Sequence, residues 1–566
     1  MNAPAKAGFL SALSASLFAF AERSHARAVA LLLLFGIALF APGFTGLPPM
    51  DRDEPRFAQA SKQMLETGDA VSIRFQGEAR NKKPVGIYWM QVAAVSAGEA
   101  LGVSQARMQI WLYRIPSVLG ALASVLLTYA VGVALTTRRA AFVGAMLMAA
   151  TILLGVEARL AKTDAVVTAT VVASMAVVAR LWMNRLDDRF RLGLGWVLVF
   201  WLSIGVGILV KGPVTPAVPL LAVLVLSFSE RWTGWLKPIR PWLGLLILIV
   251  VVAPWFVAIG LKSGGAFFHE AVGQDMLAKV GSGQESHGAP PGAYVAAFLG
   301  TAWPLAPFLL LAIPFAWRER RDPAVLFLLA WAIPMWVVFE AVPTKLPHYV
   351  LPLYPALALL VGLAAERQAM PLQGWLARVV LGWLPVVALI LLGAVGAGLM
   401  LLEHVAPVLA VLVLLVAVLL GVAGWRAYFA GQAGTAAVCA TLSSVAVAWG
   451  VYAAAVPLVS IVKISPRLAA VAREAGCAPE AMVTAGYREP SLVFLTRTDL
   501  QMSDGPGAAQ VLAGGACRIA FVEKRMEPAF IAAAMEARTA PRLLSRVEGV
   551  NLNGGRKLDI GVYISQ

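Results

Sequence analysis

Long apolar stretches alternate with short polar loops along most of this 566-residue chain. A helix needs about 20 apolar residues to cross the roughly 30 Å hydrocarbon core of a bilayer. Runs of that kind predict thirteen transmembrane helices, near residues 28–46, 110–135, 139–156, 164–183, 192–210, 213–229, 241–261, 294–317, 323–342, 348–365, 374–401, 405–425 and 434–458. The pattern therefore predicts a polytopic α-helical membrane protein.

Two further apolar segments are too short or too interrupted to be counted as spans. Residues 8–21 carry apolar side chains at helical spacing and precede charged residues, which predicts an interfacial helix, not a cleaved signal peptide. Residues 87–101 are interrupted by Gln91, Gly98 and Glu99, so we predict a buried or interfacial helix there.

The last hundred residues have a different, more polar composition. We predict two domains: a transmembrane catalytic domain over 1–458 and a soluble α/β domain over 459–566. In the second, helices are expected at 465–475 and 528–537 and strands at 481–487, 491–495, 518–522 and 558–564. No catalytic motif occurs in this part of the sequence.

Composition and charge agree with a membrane protein and exclude the ordinary soluble class. The chain is 60% hydrophobic and only 14% charged, and its formal net charge is +15. A basic chain of this kind could bind nucleic acid, but Lys and Arg are concentrated in short loops between apolar runs, which encodes membrane topology. We therefore expect membrane lipid, not nucleic acid, as the partner.

The basic residues fall on alternate loops and so predict which side each loop faces. One side, predicted to be cytoplasmic, receives the basic loops around residues 23–27, 138–139, 185–191, 231–240, 318–321, 367 and 426. The other side receives the first large loop (47–109), the loop 262–293 and, because the number of spans is odd, the tail. Nearly every unusual polar motif lies on this second side. We predict a bacterial inner-membrane protein whose chemistry occurs in the periplasm, and no nucleotide-binding GxxxxGK[ST] motif is present.

Only three cysteines occur, and none has the spacing of a metal site. Cys439 lies in an apolar run. Cys477 and Cys517 lie in the tail, where a disulfide is an alternative if the tail faces an oxidising compartment. From the sequence, we favour the interpretation that Cys477 and Cys517 are two unpaired small residues in a packed fold.

Carboxylates occur at two places where functional chemistry is plausible. Asp53 and Glu54 precede Pro55 in the first outer loop, which predicts a helix running to about Thr67 with both acids at its positive end. Helix capping is the simpler interpretation of this pair. Asp164 stands at the outer mouth of a span, where a cap or a salt bridge to Lys162 competes with a functional role.

Four lysines lie in outer loops bounded by Pro or Gly: Lys82, Lys83, Lys211 and Lys345. Ammonium groups supply mobile positive charge for phosphate oxygens. Each lysine alone could simply extend to the membrane surface. Together on one face, they predict a phosphate site.

The loop 262–293 is long for a compact domain, which predicts a functional or flexible segment. It contains two histidines and several other polar residues: His269, Glu270, Gln274, Asp275, Lys279, Glu285 and His287. Such residues could ligate a metal, but the spacing of a metal site is missing, so metal binding is the minority interpretation.

These motifs together resemble the lipid-linked-sugar glycosyltransferases of the C-type membrane fold (GT-C), and within them the aminoarabinose transferase (ArnT)-like branch of the protein O-mannosyltransferase superfamily. The resemblance covers nearly the whole chain. It rests on Asp53-Glu54-x-Arg56-Phe57-Ala58, Met64-Leu65-x-x-Gly68-Asp69, Lys83-Pro84 leading to Tyr88-Trp89, Asp164, Lys211-Gly212, Ala217-Val218-Pro219, His287-x-x-Pro290 before Tyr294, Trp303-Pro304 and Lys345-Leu346-Pro347-x-Tyr349.

The resemblance implies transfer of a sugar from a polyprenyl phosphate, commonly undecaprenyl phosphate, to lipid A or a related envelope glycolipid at the periplasmic face. It implies that Asp53 and Asp164, with Glu54 beside them, are catalytic or orient the acceptor. Lys83 and Tyr349 would hold the donor phosphate, together with Lys82, Tyr88, Lys211 and Lys345, and Arg56, His269 and His287 would belong to the substrate loops. No cofactor is required, although a divalent metal at His269 stays an alternative.

One residue departs from the pattern of the branch. The aminoarabinose enzymes tend to have Glu before the Lys-Pro pair, where this chain has Lys82. The change weakens a metal site at that position and leads to the hypothesis that the transferred sugar is acidic.

Two other functions remain as alternatives: protein O-mannosyltransferase-like transfer to protein, and a lipid or sugar flippase or transporter. Transporters often carry internal repeats and charges near the membrane midplane. The early spans are not repeated in the later ones, and the charges cluster at one face.

Overall fold

The computed structural model describes residues 8–49, 52–271, 273, 288–370 and 374–565. Within these ranges, nine helices are long and apolar enough to cross a membrane, and three apolar helices are shorter. Each of the thirteen predicted spans falls on one helix or on two or three consecutive helical segments. The chain is a multi-pass membrane protein, as predicted.

The helices before the tail are α1 Phe9–Arg23, α2 His25–Phe40, α3 Asp53–Thr67, α4 Gly86–Ala100, α5 Ile110–Leu135, α6 Arg138–Ala150, α7 Ile152–Glu157, α8 Asp164–Asn184, α9 Leu194–Lys211, α10 Val214–Glu230, α11 Pro241–Lys262, α12 Ala266–Phe268, α13 Ala293–Thr301, α14 Leu305–Arg318, α15 Pro323–Ala341, α16 Tyr354–Glu366, α17 Trp375–Leu402, α18 Val408–Phe429 and α19 Ala433–Ala448. Short 3-10 helices cover Ala106–Met108, Asp188–Phe190, Gly234–Ile239, Pro347–Leu353 and Val456–Leu458, and a π-helix covers Trp449–Ala455. The first outer loop also carries a two-stranded hairpin, β1 Arg74–Phe75 and β2 Glu78–Ala79.

Helix α3 confirms the prediction made for the first outer loop. Asp53 and Glu54 occupy its first turn, and Gly68 ends it with a φ of 72°. That left-handed conformation is costly for residues with a Cβ, and it is why glycine ends many helices. The interrupted segment 87–101 also forms a helix, α4.

Two glycines let the helices around the predicted site approach at backbone distance. A Cβ on Gly120 of α5 would lie 2.8 Å from the Val166 nitrogen, in the first turn of α8. A Cβ on Gly86 of α4 would lie 2.8 Å from the Leu209 carbonyl, in the last turn of α9. Since real Cβ atoms do not approach so closely, these contacts require glycine. They bring Lys83-Pro84, Asp164 and Lys211 into one neighbourhood.

The tail forms an α/β domain around a five-stranded sheet in the order β4-β3-β5-β7-β6. Its strands are β3 Ala481–Ala485, β4 Gln501–Ser503, β5 Arg518–Glu523, β6 Arg542–Val550 and β7 Lys557–Ile564, and its helices are α20 Ile464–Arg473, α21 Pro490–Leu495, α22 Gly505–Ala513 and α23 Glu527–Glu536. Strands β4, β3 and β5 are parallel, whereas β7 is antiparallel to both β5 and β6. Apolar residues are buried on both faces of the sheet.

One predicted strand of the tail is wrong. Residues 491–495 form helix α21, not a strand, because Pro490 suits the first helical turn and the apolar side chains meet another helix instead of a sheet. Phe494 of α21 packs edge-on against Tyr113 of α5, with ring centroids 5.4 Å apart. The short strand β4, the strand β6 and the helix α22 were not predicted.

Cys477 and Cys517 form a disulfide, so the favoured prediction of two unpaired cysteines is wrong. Their Cα atoms lie 6.2 Å apart, within the usual range for a disulfide. The two residues precede the neighbouring parallel strands β3 and β5, where Ala481 pairs with Arg518. Sheet pairing, which sequence spacing does not reveal, brings the two sulfurs together.

The tail domain docks along α3. Near the start of that helix, Arg52 lies 3.8 Å from Glu489 of the tail. Farther along, the Gln59 amide donates to the Thr498 hydroxyl (2.8 Å), and Lys62 donates to the Phe494 carbonyl (3.3 Å). The tail domain therefore supports the helix that begins with Asp53.

Candidate active site

The segment that leads into Asp164 is held by side chains from three other helices. Gln91 of α4 donates to the Ala161 carbonyl (3.1 Å) and accepts a hydrogen bond from Ser61 of α3 (2.6 Å). Ser117 of α5 donates to the Lys162 carbonyl (3.1 Å). Gln91 is fully buried, so the polar residue that interrupts the apolar pattern of α4 ties this segment in place.

Asp164 is the first residue of α8, and it is buried among cationic and hydroxyl groups. It forms an ion pair with Lys211, the last residue of α9, and accepts a hydrogen bond from the Thr163 hydroxyl (3.4 Å). The Lys211 ammonium also lies 4.9 Å from the centroid of the Tyr349 ring. The structure therefore brings together three predicted site residues, Asp164, Lys211 and Tyr349.

The same cluster contains two groups that the sequence did not single out as site residues, Glu157 and His348. The His348 ring lies between two carboxylates, with Nε2 3.8 Å from Asp164 Oδ2 and Nδ1 3.7 Å from Glu157 Oε1. Lys162 lies 3.6 Å from Glu157. Two carboxylates, two lysines and one histidine thus form a single charge network.

A cavity of about 270 Å³ opens beside this network. Its cationic wall contains Lys82, Lys83 and Lys211, with His348 and Tyr349 next to them. The remainder is largely apolar, including the side chains Phe256, Phe267, Phe268, Val338 and Phe339. No carboxylate is among the described residues that line it. A cationic wall beside an apolar one suits an anionic head group that carries a hydrocarbon chain.

Asp53 lies at the start of α3 with half of its side chain exposed, 3.9 Å from Arg56 of the same helix. It is not among the described residues that line the cavity. The next residue, Glu54, accepts a hydrogen bond from the Ala161 amide (2.9 Å), three residues before Asp164. The chain segments that carry Asp53 and Asp164 are therefore in direct contact.

Glu54 lies in a buried ion pair, not in an open site where a substrate could reach it. It is fully buried and makes a two-pronged ion pair with Arg114 of α5, at 2.7 and 2.9 Å. Arg114 also donates to the carbonyls of Phe44, Leu47 and Pro48. This geometry favours a structural role for Glu54 over the catalytic role predicted from its position.

Tyr88 and Lys345 lie outside the cavity wall among the described residues, in contrast to the prediction that they bind the donor phosphate. Tyr88 is fully buried, and its ring packs 5.4 Å from that of Phe57. Burial raises the pKa of the Tyr88 phenol. Lys345 is also buried and donates to the Val342 carbonyl (2.6 Å). Packing, which the loop sequence does not specify, turns both side chains inward.

The two histidines predicted in the long loop contribute no metal site within the described residues. His269 is exposed beside α12, and His287 lies outside the described residues. In the described part of the chain, one group has metal-like spacing: Glu157, Asp164 and His348, whose donor atoms lie within 4.8 Å of one another. Because Lys162 and Lys211 already neutralise both carboxylates, we interpret this group as a charge network.

Comparisons with known proteins identify relatives of part of the chain. A family profile described as dolichyl-phosphate-mannose-protein mannosyltransferase matches residues 83–257. The chain is 31% identical over 346 residues to the undecaprenyl phosphate-alpha-4-amino-4-deoxy-L-arabinose arabinosyl transferase of Pseudomonas aeruginosa strain LESB58, a match that covers 60% of this chain and 59% of that protein. The transferase of the same name from Aeromonas hydrophila is 26% identical over 366 residues, with coverage of 59% and 61%. The matched region thus spans about three fifths of each relative.

Among solved structures, the chain is similar to ArnT from Cupriavidus metallidurans bound to undecaprenyl phosphate. The TM-score is 0.72 at 20% identity, and the alignment covers 94% of this chain and 97% of that one. This similarity confirms the predicted GT-C fold, including the tail domain. The predicted resemblance to the ArnT-like branch is confirmed as well.

Proposed function

We propose that this protein is a glycosyltransferase that moves a sugar from undecaprenyl phosphate, or a similar polyprenyl phosphate, to lipid A or a related envelope glycolipid. The observation that carries the proposal is the Asp164–Lys211–Tyr349 cluster at a cavity with a cationic wall and an apolar wall. The names of the relatives, which are undecaprenyl-phosphate-dependent transferases, support the same donor.

The reaction requires two kinds of group, and the site offers both. The bond between sugar C1 and the phosphate oxygen breaks, its electron pair stays on the phosphate, and the acceptor hydroxyl oxygen forms the new bond to C1. The acceptor proton passes to a carboxylate, for which half-exposed Asp53 is the proposed base. Lys82, Lys83 and Lys211 would stabilise the negative charge that develops on the leaving phosphate.

Asp164 has a different proposed role, because Lys211 and His348 surround its carboxylate. A buried carboxylate in such a network holds the lysine at a fixed position. We assign Asp164 the task of placing the Lys211 ammonium toward the donor phosphate. Loss of the Asp164 charge would leave Lys211 without its fixed partner.

The proposed location is the bacterial inner membrane, with the site and the tail in the periplasm. Loops predicted to be cytoplasmic contact one another, as in the ion pairs Arg139–Glu22 and Arg367–Asp322. The site is built from the loops predicted to face the periplasm. The Cys477–Cys517 disulfide supports an oxidising compartment for the tail.

Protein O-mannosyl transfer is the second candidate, favoured by the description of the family profile that matches residues 83–257. Purified protein in detergent should be given a short-chain polyprenyl phosphate-linked labelled sugar with either lipid A or a Ser/Thr-rich secreted protein. Label on lipid A supports the proposal, and label on the protein alone refutes it. Transfer in detergent, without a two-sided membrane, would also exclude a flippase.

The sugar and the acceptor are best identified in cells. Mass spectrometry of lipid A and envelope glycans, with and without the gene, should reveal one sugar whose mass is lost from one glycolipid. Unchanged lipid A and unchanged glycolipids, in cells that express active protein, would contradict the proposal.

A further inference from the structure

His348 occupies a position that the proposed chemistry leaves unexplained. It lies in the 3-10 helix Pro347–Leu353, and only 14% of its side chain is exposed. Both ring nitrogens lie at ion-pair distance from a buried carboxylate, Glu157 on one side and Asp164 on the other. The same residue lines the donor cavity.

We propose that His348 contributes to donor binding through its protonated, cationic form, and that this contribution is lost when the ring is deprotonated. Glu157 and Asp164 hold its ring in place, and its charged form completes the phosphate-binding wall that Lys82, Lys83 and Lys211 begin. This inference rests on the proposed donor, because it assigns His348 to the binding of the donor's phosphodiester.

The charges around His348 support this assignment. Glu157 forms an ion pair with Lys162, and Asp164 forms one with Lys211, so each carboxylate beside the His348 ring also has a lysine partner. A protonated His348 adds one positive charge between these two ion pairs, and a neutral His348 adds none. Imidazole is the side chain that ordinarily changes charge near neutral pH, which is why the test varies pH.

Other charged and titratable groups reach this region from neighbouring elements. Lys82 and Lys83, before α4, line the same cavity, and the ring centroid of Tyr349 lies 5.0 Å from that of His348. Tyr294 on α13 is one ring farther away, because Phe339 packs between Tyr349 and Tyr294 at 6.2 and 6.4 Å, and Glu340 follows Phe339 at the end of α15. Glu340 accepts hydrogen bonds from the backbone amides of Gly292 and Val295, at 2.8 and 3.3 Å. Glu157 and Asp164 are the carboxylates within 4 Å of the His348 ring among the described residues.

The test measures binding, not transfer, so it is independent of the sugar and the acceptor. The probe is farnesyl methyl phosphate, a phosphodiester that does not titrate between about pH 5.5 and about pH 8.5. Its dissociation constant is measured for the full-length protein in detergent across this range. We expect the affinity of the wild type for this probe to fall about tenfold as pH rises. A change of this size corresponds to the loss of one positive charge near the phosphodiester in a site that water and salt partly screen.

Three variants make the result specific. His348→Gln should bind the probe weakly and without pH dependence, whereas His348→Lys should bind tightly at both ends of the range because its charge is permanent. His404→Gln is the matched control, since His404 lies exposed in another outer turn and should behave as the wild type does. Thermal unfolding of each variant shows which ones are folded.

Two results would overturn the inference. One is a His348→Gln protein that is folded and retains the pH-dependent fall in affinity. The other is a divalent metal that strengthens binding to the wild type but not to His348→Gln, which would make Glu157, Asp164 and His348 a metal site. Failure of sugar transfer in the wild type would refute the proposed function but would not affect either binding result.

Discussion

Glu54 forms a buried ion pair with Arg114, so replacing it tests whether this carboxylate of the first outer loop is structural or catalytic. Glu54→Gln keeps the size of the side chain and removes its charge. It leaves Arg114 buried without its counter-ion, although three backbone carbonyls still accept hydrogen bonds from the guanidinium. The adjacent Asp53 is left intact.

The expected cost follows from the burial of both side chains, which are completely inaccessible to solvent. Removing one partner of a buried ion pair costs about 3–5 kcal/mol, because the remaining charge is uncompensated. Gln retains one oxygen for the Ala161 amide or for Arg114, but not for both with the geometry of the carboxylate. We therefore expect a loss of about 3 kcal/mol for Glu54→Gln, and about 5 kcal/mol for Glu54→Ala.

The assay is the free energy of unfolding in detergent, measured together with the specific activity of the folded fraction. A surface pair provides the control: Glu99 and Arg107 are 2.6 Å apart, with 36% and 41% of their side chains exposed. Glu99→Gln should cost less than about 1 kcal/mol, because water and salt screen exposed pairs. Folded Glu54→Gln should keep most of its transfer activity.

Either of two results would refute this reasoning. A Glu54→Gln protein as stable as the wild type would show that the Arg114 pair contributes nothing to the fold. A Glu54→Gln protein that is normally stable but inactive would indicate that Glu54 is catalytic. A double-mutant cycle with Arg114→Gln should show coupling between the two sites if the pair acts as described.

The remaining predictions concern the site and the tail. Asp53→Asn and Asp164→Asn should each nearly abolish transfer per folded protein, and full activity in either would reduce that residue to a helix cap or ion-pair partner. Asp53→Asn should leave the thermal unfolding midpoint close to that of the wild type because the side chain is half exposed, whereas Asp164→Asn should also lower the midpoint because Lys211 loses a buried counter-ion. Lys83→Ala should raise the apparent KM for the donor with little change in kcat, because it removes a cation from the cavity wall, and an unaltered KM would contradict its contact with phosphate. Lys82→Glu should shift sugar preference from an acidic toward a cationic sugar, and unchanged preference would end the hypothesis of an acidic sugar. Cys477→Ser should destabilise the tail domain by about 4 kcal/mol, since the disulfide closes a loop with a sequence separation of 40, and a reductant should then affect the wild type but not the variant.

Much of the membrane domain could be predicted because its causes are local. Hydropathy placed the spans, since a helix in lipid must be apolar along its own length. Acidic residues before Pro55 and a glycine at 68 placed helix α3, because capping depends on a few neighbouring residues. The candidate residues Asp164, Lys211 and Tyr349 could be proposed because charged and polar groups at the ends of spans are unusual.

The tertiary structure decided which of these polar residues meet. Gly86 and Gly120 allow the backbone contacts that bring Lys83 near Lys211 and α5 against the start of α8. The same packing buries Glu54, Tyr88 and Lys345, three residues that the loop sequence alone presented as equal candidates. Burial depends on neighbours that are distant in the chain, so the local pattern could not separate them from Lys83 and Tyr349.

The tail and the charge network also show features that depend on long-range packing and not on local sequence. Residues 491–495 resemble a strand in sequence but form a helix, because they pack against α3 and α5. His348 was part of a motif recognised in the sequence, yet its position between Glu157 and Asp164 depends on three separate elements converging. The sequence by itself determined the membrane topology and the set of candidate groups, because both follow from local polarity. Only the tertiary structure decided which groups form the site, because long-range packing sets their distances and their burial.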